Sequence, residues 1–201
     1  RLCNRRMLKK FSIAIVSAAI AILGGAWLTD ATLANFDRIG SVTIGIWTAH
    51  PLEGTPDSDP YAKARLARDA NIAMGAAEGV TFFADVDDDG ETLVGTCDYV
   101  LNGANLASRF WTIMPLDTDK RALSAAREGL PASLTSDSLA YGPDQRFEIE
   151  ISAYARPGNW LAILPGETFL LALNLYDSPI ATNKGLVDTA LPSIKRVRCH
   201  G

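Results

Sequence analysis

The sequence predicts a mainly β protein: an antiparallel, jelly-roll-like β-sandwich with one or two short helices, preceded by an N-terminal transmembrane helix. Three observations carry this prediction. Phe11 to Leu28 is an uncharged run of 18 residues. Beyond Gly79 the apolar residues recur at alternate positions, the periodicity of a strand and not of a helix. The alternating runs are short and are separated by Gly, Pro, Asp and Asn, the residues of tight turns. The expected segments are a basic cytoplasmic N-terminus (1–10), a transmembrane anchor or signal segment (11–33) and a periplasmic β-sandwich domain (34–201).

At 1.5 Å per residue, the apolar run spans about 27 Å, close to the thickness of a bilayer's hydrocarbon core. Arg1, Arg5, Arg6, Lys9 and Lys10 precede it, and no acid occurs before Asp30. The positive-inside rule therefore keeps the N-terminus in the cytoplasm and sends the rest across. Trp27 falls at the interface. Two readings stay open, an uncleaved anchor and a signal peptide cleaved after Thr32-Leu33-Ala34. Arg5-Arg6 resembles a twin-arginine export signal only weakly, and a start at Met7 would remove both arginines.

Next in order, Val42, Ile44 and Ile46 alternate with Thr43, Gly45 and Trp47 as one strand. Pro51 to Pro60 is turn-rich. Asp59-Pro60 is a good helix start, with Asp as N-cap and Pro at the first helical position. The helix is expected over 61–70, with Tyr61, Ala64 and Leu66 on its apolar face and Arg65 and Arg68 in solvent. Strands are expected near 80–86, 93–102, 109–115, 146–153, 160–163 and 168–176, with weaker ones near 136–140 and 193–198. A short helix is expected over 120–128.

The charge balance limits the function. Of 19 basic residues, five lie before the apolar run, leaving 14 against 23 acids in the rest of the chain. An acidic domain repels phosphate backbones, so no nucleic-acid partner is expected. Cys97 and Cys199 are the two cysteines beyond the apolar run. An even pair in an oxidising compartment reads as one disulfide, and the alternative is two unrelated buried thiols.

Few residues suggest chemistry. Asp85-Val86-Asp87-Asp88-Asp89-Gly90 has the carboxylate spacing of a calcium loop, but position 12 is Thr96 and the flanks are strand-like. A hairpin turn explains it better. Glu148 and Glu150 share one strand face, as on a solvated sheet surface. With only His50 and His200 present, and no G-x-S-x-G, H-E-x-x-H or P-loop, nothing supports nucleophilic catalysis. No catalytic residue, cofactor or metal is assigned. Arg109 and Arg156 lie beside the aromatics Trp111 and Trp160. They read first as partners of Asp or Glu and second, with Asn159, as a binding surface.

Several stretches together resemble a known family. They are IGIWTAHPLEGTPDSDPYAKARLA, GAAEGVTFFADVDDDGETLVGTCDYVLNG, ASRFWTI and DQRFEIEISAYARPGNWLAI. They are similar to the domain of unknown function 1214, in its short, membrane-anchored bacterial form, over roughly residues 44 to 199. The resemblance implies a jelly-roll-like sandwich and brings no catalytic residue. Arg109, Trp111, Arg156, Gly158, Asn159 and Trp160 match its motif positions. Met114-Pro115-Leu116-Asp117 departs from the family's aromatic-acid pair, which weakens the case for a pocket at that strand end.

The resulting expectation is a single-pass protein of the bacterial inner membrane. Its C-terminal domain lies in the periplasm and serves as a non-catalytic binding or structural module of the envelope. The membrane is its expected partner, and no ligand or protein partner is identified. The alternative is a hydrolase-like enzyme with a shallow site on the sandwich. Candidate binding residues are Arg109, Trp111, Arg156, Asn159 and Trp160.

Overall fold

The computed structural model describes residues 2–35, 40–68, 74–75, 78–104, 106–123, 129–178 and 190–200. Helix α1 (Leu2–Asn35) contains the apolar run, and Lys9–Ala31 is long and apolar enough to cross a membrane. None of that stretch is buried against the rest of the chain, so it is not a core helix. Length and composition suit an anchor and a signal sequence equally.

Strands β1 (Val42–Ile44) and β2 (Trp47–Ala49) form a hairpin, not the single strand expected over 42–47. Gly45 causes the difference. Its φ of 60° turns the chain, a conformation glycine adopts without a Cβ penalty. The reversal buries Trp47 to 1% exposure, and its indole N–H donates to the Pro192 carbonyl.

Helix α2 (Pro60–Arg68) begins as expected, with the Asp59 carboxylate accepting the amides of Tyr61 and Ala62. Its buried contact is Ala62, with Leu66 four residues on half-buried, whereas Tyr61 and Ala64 are exposed. Residues 69–70 and the side chains of Arg65 and Arg68 lie outside the described residues.

The remaining strands are β3 (Gly79–Ala84), β4 (Cys97–Gly103), β5 (Phe110–Leu116), β6 (Leu134–Thr135), β7 (Phe147–Ser152), β8 (Trp160–Ala162), β9 (Leu170–Tyr176) and β10 (Ser193–Cys199). Among the described residues they build a six-stranded sheet, β1-β2-β3-β9-β5-β6, and a four-stranded sheet, β10-β4-β7-β8. The chain changes sheet between β3 and β4, β4 and β5, β6 and β7, β8 and β9, and β9 and β10. This is the alternating path of a jelly-roll-like sandwich.

One buried cluster fills the space between the sheets. Phe82, Ile113, Leu171 and Leu173 of the large sheet face Leu101, Ile149 and Ile151 of the small one. Strand alternation explains these positions, since i and i+2 share a face. Trp111 stacks on Phe147 across the interface, with ring centroids 4.8 Å apart. Phe147 needs Gly103 opposite it: a Cβ there would come within 2.3 Å of the ring.

Several expectations need correction. Strand β4 begins at Cys97, not 93, because Val94 forms an isolated bridge to Thr168. The stretch 136–140 is a 3-10 turn at Ser136–Ser138. Residues 120–123 do not start a helix, because the Asp117 carboxylate caps a turn by accepting the amides of Asp119 and Arg121. Ala122 then bridges to Leu116, and residues 124–128 lie outside the described residues. The sandwich is also not wholly antiparallel, since β8 runs parallel to β7.

Candidate functional site

The five candidate binding residues do not form one site. Arg109 is exposed at the start of β5, 3.8 Å from the exposed carboxylate of Asp177, and such surface pairs contribute little. Trp111 is buried in the inter-sheet core. Arg156 and Asn159 lie on the connection between β7 and β8 of the other sheet, and Trp160 opens β8.

That connection shows what the Arg-Pro-Gly-Asn-Trp block does locally. Parallel neighbours require the chain to double back, and residues 153–159 do this in one compact loop. Asn159 holds the loop closed. Its amide N–H groups donate to the carbonyls of Ala140 and Glu148, and its side-chain oxygen accepts the Ala140 amide. The Trp160 indole donates to the Ser152 carbonyl at 3.0 Å.

Arg156 points from this loop to a cluster around Asp98. The Asp98 carboxylate accepts hydrogen bonds from Ser152 (2.6 Å), Arg156 and Arg198 (2.7 Å), and His200 Nε2 lies 3.0 Å away. Burial works against ionisation of Asp98. The bonds from Ser152, Arg198 and His200, together with the Arg156 guanidinium, outweigh it and hold the carboxyl well below the usual carboxylate range. A disulfide joins Cys97 to Cys199, directly opposite each other on β4 and β10, so it brackets the same cluster. The carboxylate stands between the Ser152 hydroxyl and the His200 imidazole. A general base must touch the hydroxyl it activates, so this is not a nucleophile dyad. Asp98, Arg198 and His200 are not legible as a group in the sequence, although all three adjoin the paired cysteines.

The acidic loop is a turn. Asp87 is buried, one of its oxygens accepts the amides of Asp89 and Glu91, and the other lies 3.0 Å from Arg196 Nε. Its carboxylate is thus committed to the protein itself. Glu148 is exposed, and Glu150 lies 3.6 Å from Arg156, as expected of solvated and paired acids.

A concavity on the outer face of the six-stranded sheet has a volume of about 410 Å³. Strand register gives it two ranks of side chains. Thr81, Asn174 and Thr112 lie side by side across β3, β9 and β5, and two residues further along lie Phe83, Ala172 and Met114. The Thr81 hydroxyl donates to Asn174 Oδ1, and the Asn174 amide donates to Thr112 Oγ1. The trough thus has a hydrogen-bonding half and an apolar half. His50, Glu53 and Glu78 also line it, and Lys120 lies over the Phe83 ring, 4.9 Å from its centroid. None of the five candidate binding residues lines this trough. Met114 and Leu116, in the segment that departs from the family pattern, do line it.

The model of a protein family described as a protein of unknown function, DUF1214, matches residues 78–180. No curated protein matches the chain. Among solved structures, the chain is similar to the VPA0106 protein of Vibrio parahaemolyticus. The TM-score is 0.56 at 24% identity, over 71% of this chain and 36% of that one. An uncharacterised protein of Burkholderia cenocepacia is similar with a TM-score of 0.44 and 19% identity, over 90% of this chain and 52% of that one. The chain thus spans about a third and about half of these structures. The likeness to the Vibrio protein supports the sandwich fold.

Proposed function

The chain belongs to the DUF1214 family, and from that premise we propose that it is a membrane-tethered envelope protein whose sandwich is a non-catalytic binding module. In this reading residues 1–10 are cytoplasmic and 11–33 anchor the chain in the bacterial inner membrane. Residues 34–201 form the periplasmic domain, whose trough on the outer sheet face takes a small molecule. The observation that carries the reading is the trough. Its volume of about 410 Å³ falls in the range of ligand sites, about 300–1,000 Å³. Its apolar floor with a few aligned polar groups is the usual lining of such sites. The basic N-terminal flank and the unburied apolar helix support the tether.

The test is a thermal-shift screen of the full chain in nanodiscs. The panel holds calcium with a chelator control, cell-wall sugars, lipids, small anions and short peptides. A native-state ligand raises the melting temperature in proportion to its occupancy. Ala172→Trp, which fills the trough, removes that rise. A flat screen, or a rise that survives Ala172→Trp, rejects the trough as the site.

A further inference from the structure

We propose that the ligand of the trough is a short zwitterionic peptide, bound extended with its amino end toward Glu78 and its carboxylate toward Lys120. This deepens the preceding reading and rests on it.

The register orders the groups along the strand axis. Glu78 immediately precedes β3, whose Gly79 pairs with Tyr176 at one end of β9. Then come the rank of Thr81 and Asn174 and, two residues on, the rank of Phe83, Ala172 and Met114. Lys120 caps the apolar rank over Phe83. Glu78 and Lys120 therefore occupy opposite ends of one trough. At about 3.4 Å per strand residue, Gly79 and Phe83 are about 14 Å apart. An extended peptide of four residues covers that length, at no more than about 3.6 Å each.

The middle of the trough fits the same ligand. Asn174 uses one amide hydrogen on Thr112 and accepts one bond from Thr81. A primary amide has two hydrogens and two lone pairs, so one donor and one acceptor remain, the complement of a peptide group. The apolar rank beyond it suits an aliphatic side chain. Lys120 adds a separate observation. Its φ is 62°, a left-handed conformation ordinarily taken by Gly or Asn. Such residues concentrate where a backbone is held for a ligand. The turn capped by Asp117 holds this one and directs its ammonium over the trough floor.

The experiment is isothermal titration of the full chain in nanodiscs with Ala-Ala-Leu-Ala, its N-acetyl form and its C-terminal amide. The free tetrapeptide binds, and each blocked form binds at least tenfold more weakly. Lys120→Gln, at an exposed position, abolishes the discrimination against the amide. Glu78→Gln reduces the discrimination against the acetyl form. Equal binding of blocked and free peptides overturns the inference. So does an absence of peptide binding when another probe class raises the melting temperature and Ala172→Trp removes that rise, in which case the trough remains a ligand site. If no probe class binds, both fail together.

Discussion

Arg156 reaches back 58 residues to donate to the carboxylate of Asp98, which is itself buried between the ends of β4, β7 and β10. The pair joins the parallel β7–β8 loop to the end of β4. Removing Asp98 leaves Arg156 largely buried with only its longer contact to Glu150. Asp98→Asn should therefore destabilise the domain by about 3–5 kcal/mol. Arg198→Ala should cost less, because that side chain is 55% exposed. Urea unfolding of the two variants checks the order, and equal losses contradict it.

The same carboxylate sets an acid limit. Its pKa is lower in the native fold than in the unfolded chain, so the unfolded state takes up the proton first. The stabilisation is complete above the unfolded aspartate value of about 4 and is lost as pH falls through the native value. The melting temperature of the wild type should fall more steeply than that of Asp98→Asn between about pH 5 and pH 2. Parallel curves for the two proteins would show that Asp98 carries no such linkage.

Asn159 is predicted to stabilise the loop more than it contacts any ligand. Asn159→Ala removes three hydrogen bonds to two backbone segments and should cost about 2 kcal/mol or more. Trp160→Phe keeps most of the packing but leaves the Ser152 carbonyl unpaired, at about 1 kcal/mol. Differential scanning calorimetry measures both. Unchanged melting temperatures would return these residues to the surface-binding role.

The bond between Cys97 and Cys199 predicts a thiol count. Denatured without reductant, the full chain should show one free thiol, that of Cys3, and after reduction three. The cross-link closes a separation of 102 residues, so the chain-entropy model gives it about 4–5 kcal/mol. Cys97→Ser combined with Cys199→Ser should lower the melting temperature accordingly. Three free thiols before reduction would contradict the pairing.

The parts of this fold set by local rules were legible in the sequence. The alternation of Phe147, Ile149 and Ile151 with Glu148 and Glu150 marked a half-buried strand, and Asp59-Pro60 marked a helix start. The hairpin at Gly45 was missed because an apolar alternation continues through the turn and hides it. The trough was not legible, because Phe83, Met114 and Ala172 become neighbours only through the register of three strands. Arg156 could be assigned an acidic partner from its surroundings, but nothing local singles out Asp98 among 23 acids. The structural role of Asn159 was not legible, since its three backbone bonds depend on a parallel loop that periodicity does not reveal.

The separation of the cysteines also has a consequence for biogenesis. Cys97 leaves a ribosome or translocation channel 102 residues before its partner. Until Cys199 follows, the segments that become β5 to β9 emerge with the thiol on β4 still unpaired. The cross-link can therefore form only after those segments have been synthesised. A chain halted before Cys199 would lack both the cross-link and the strand that covers the β4 edge, which leaves a natural checkpoint for quality-control proteases.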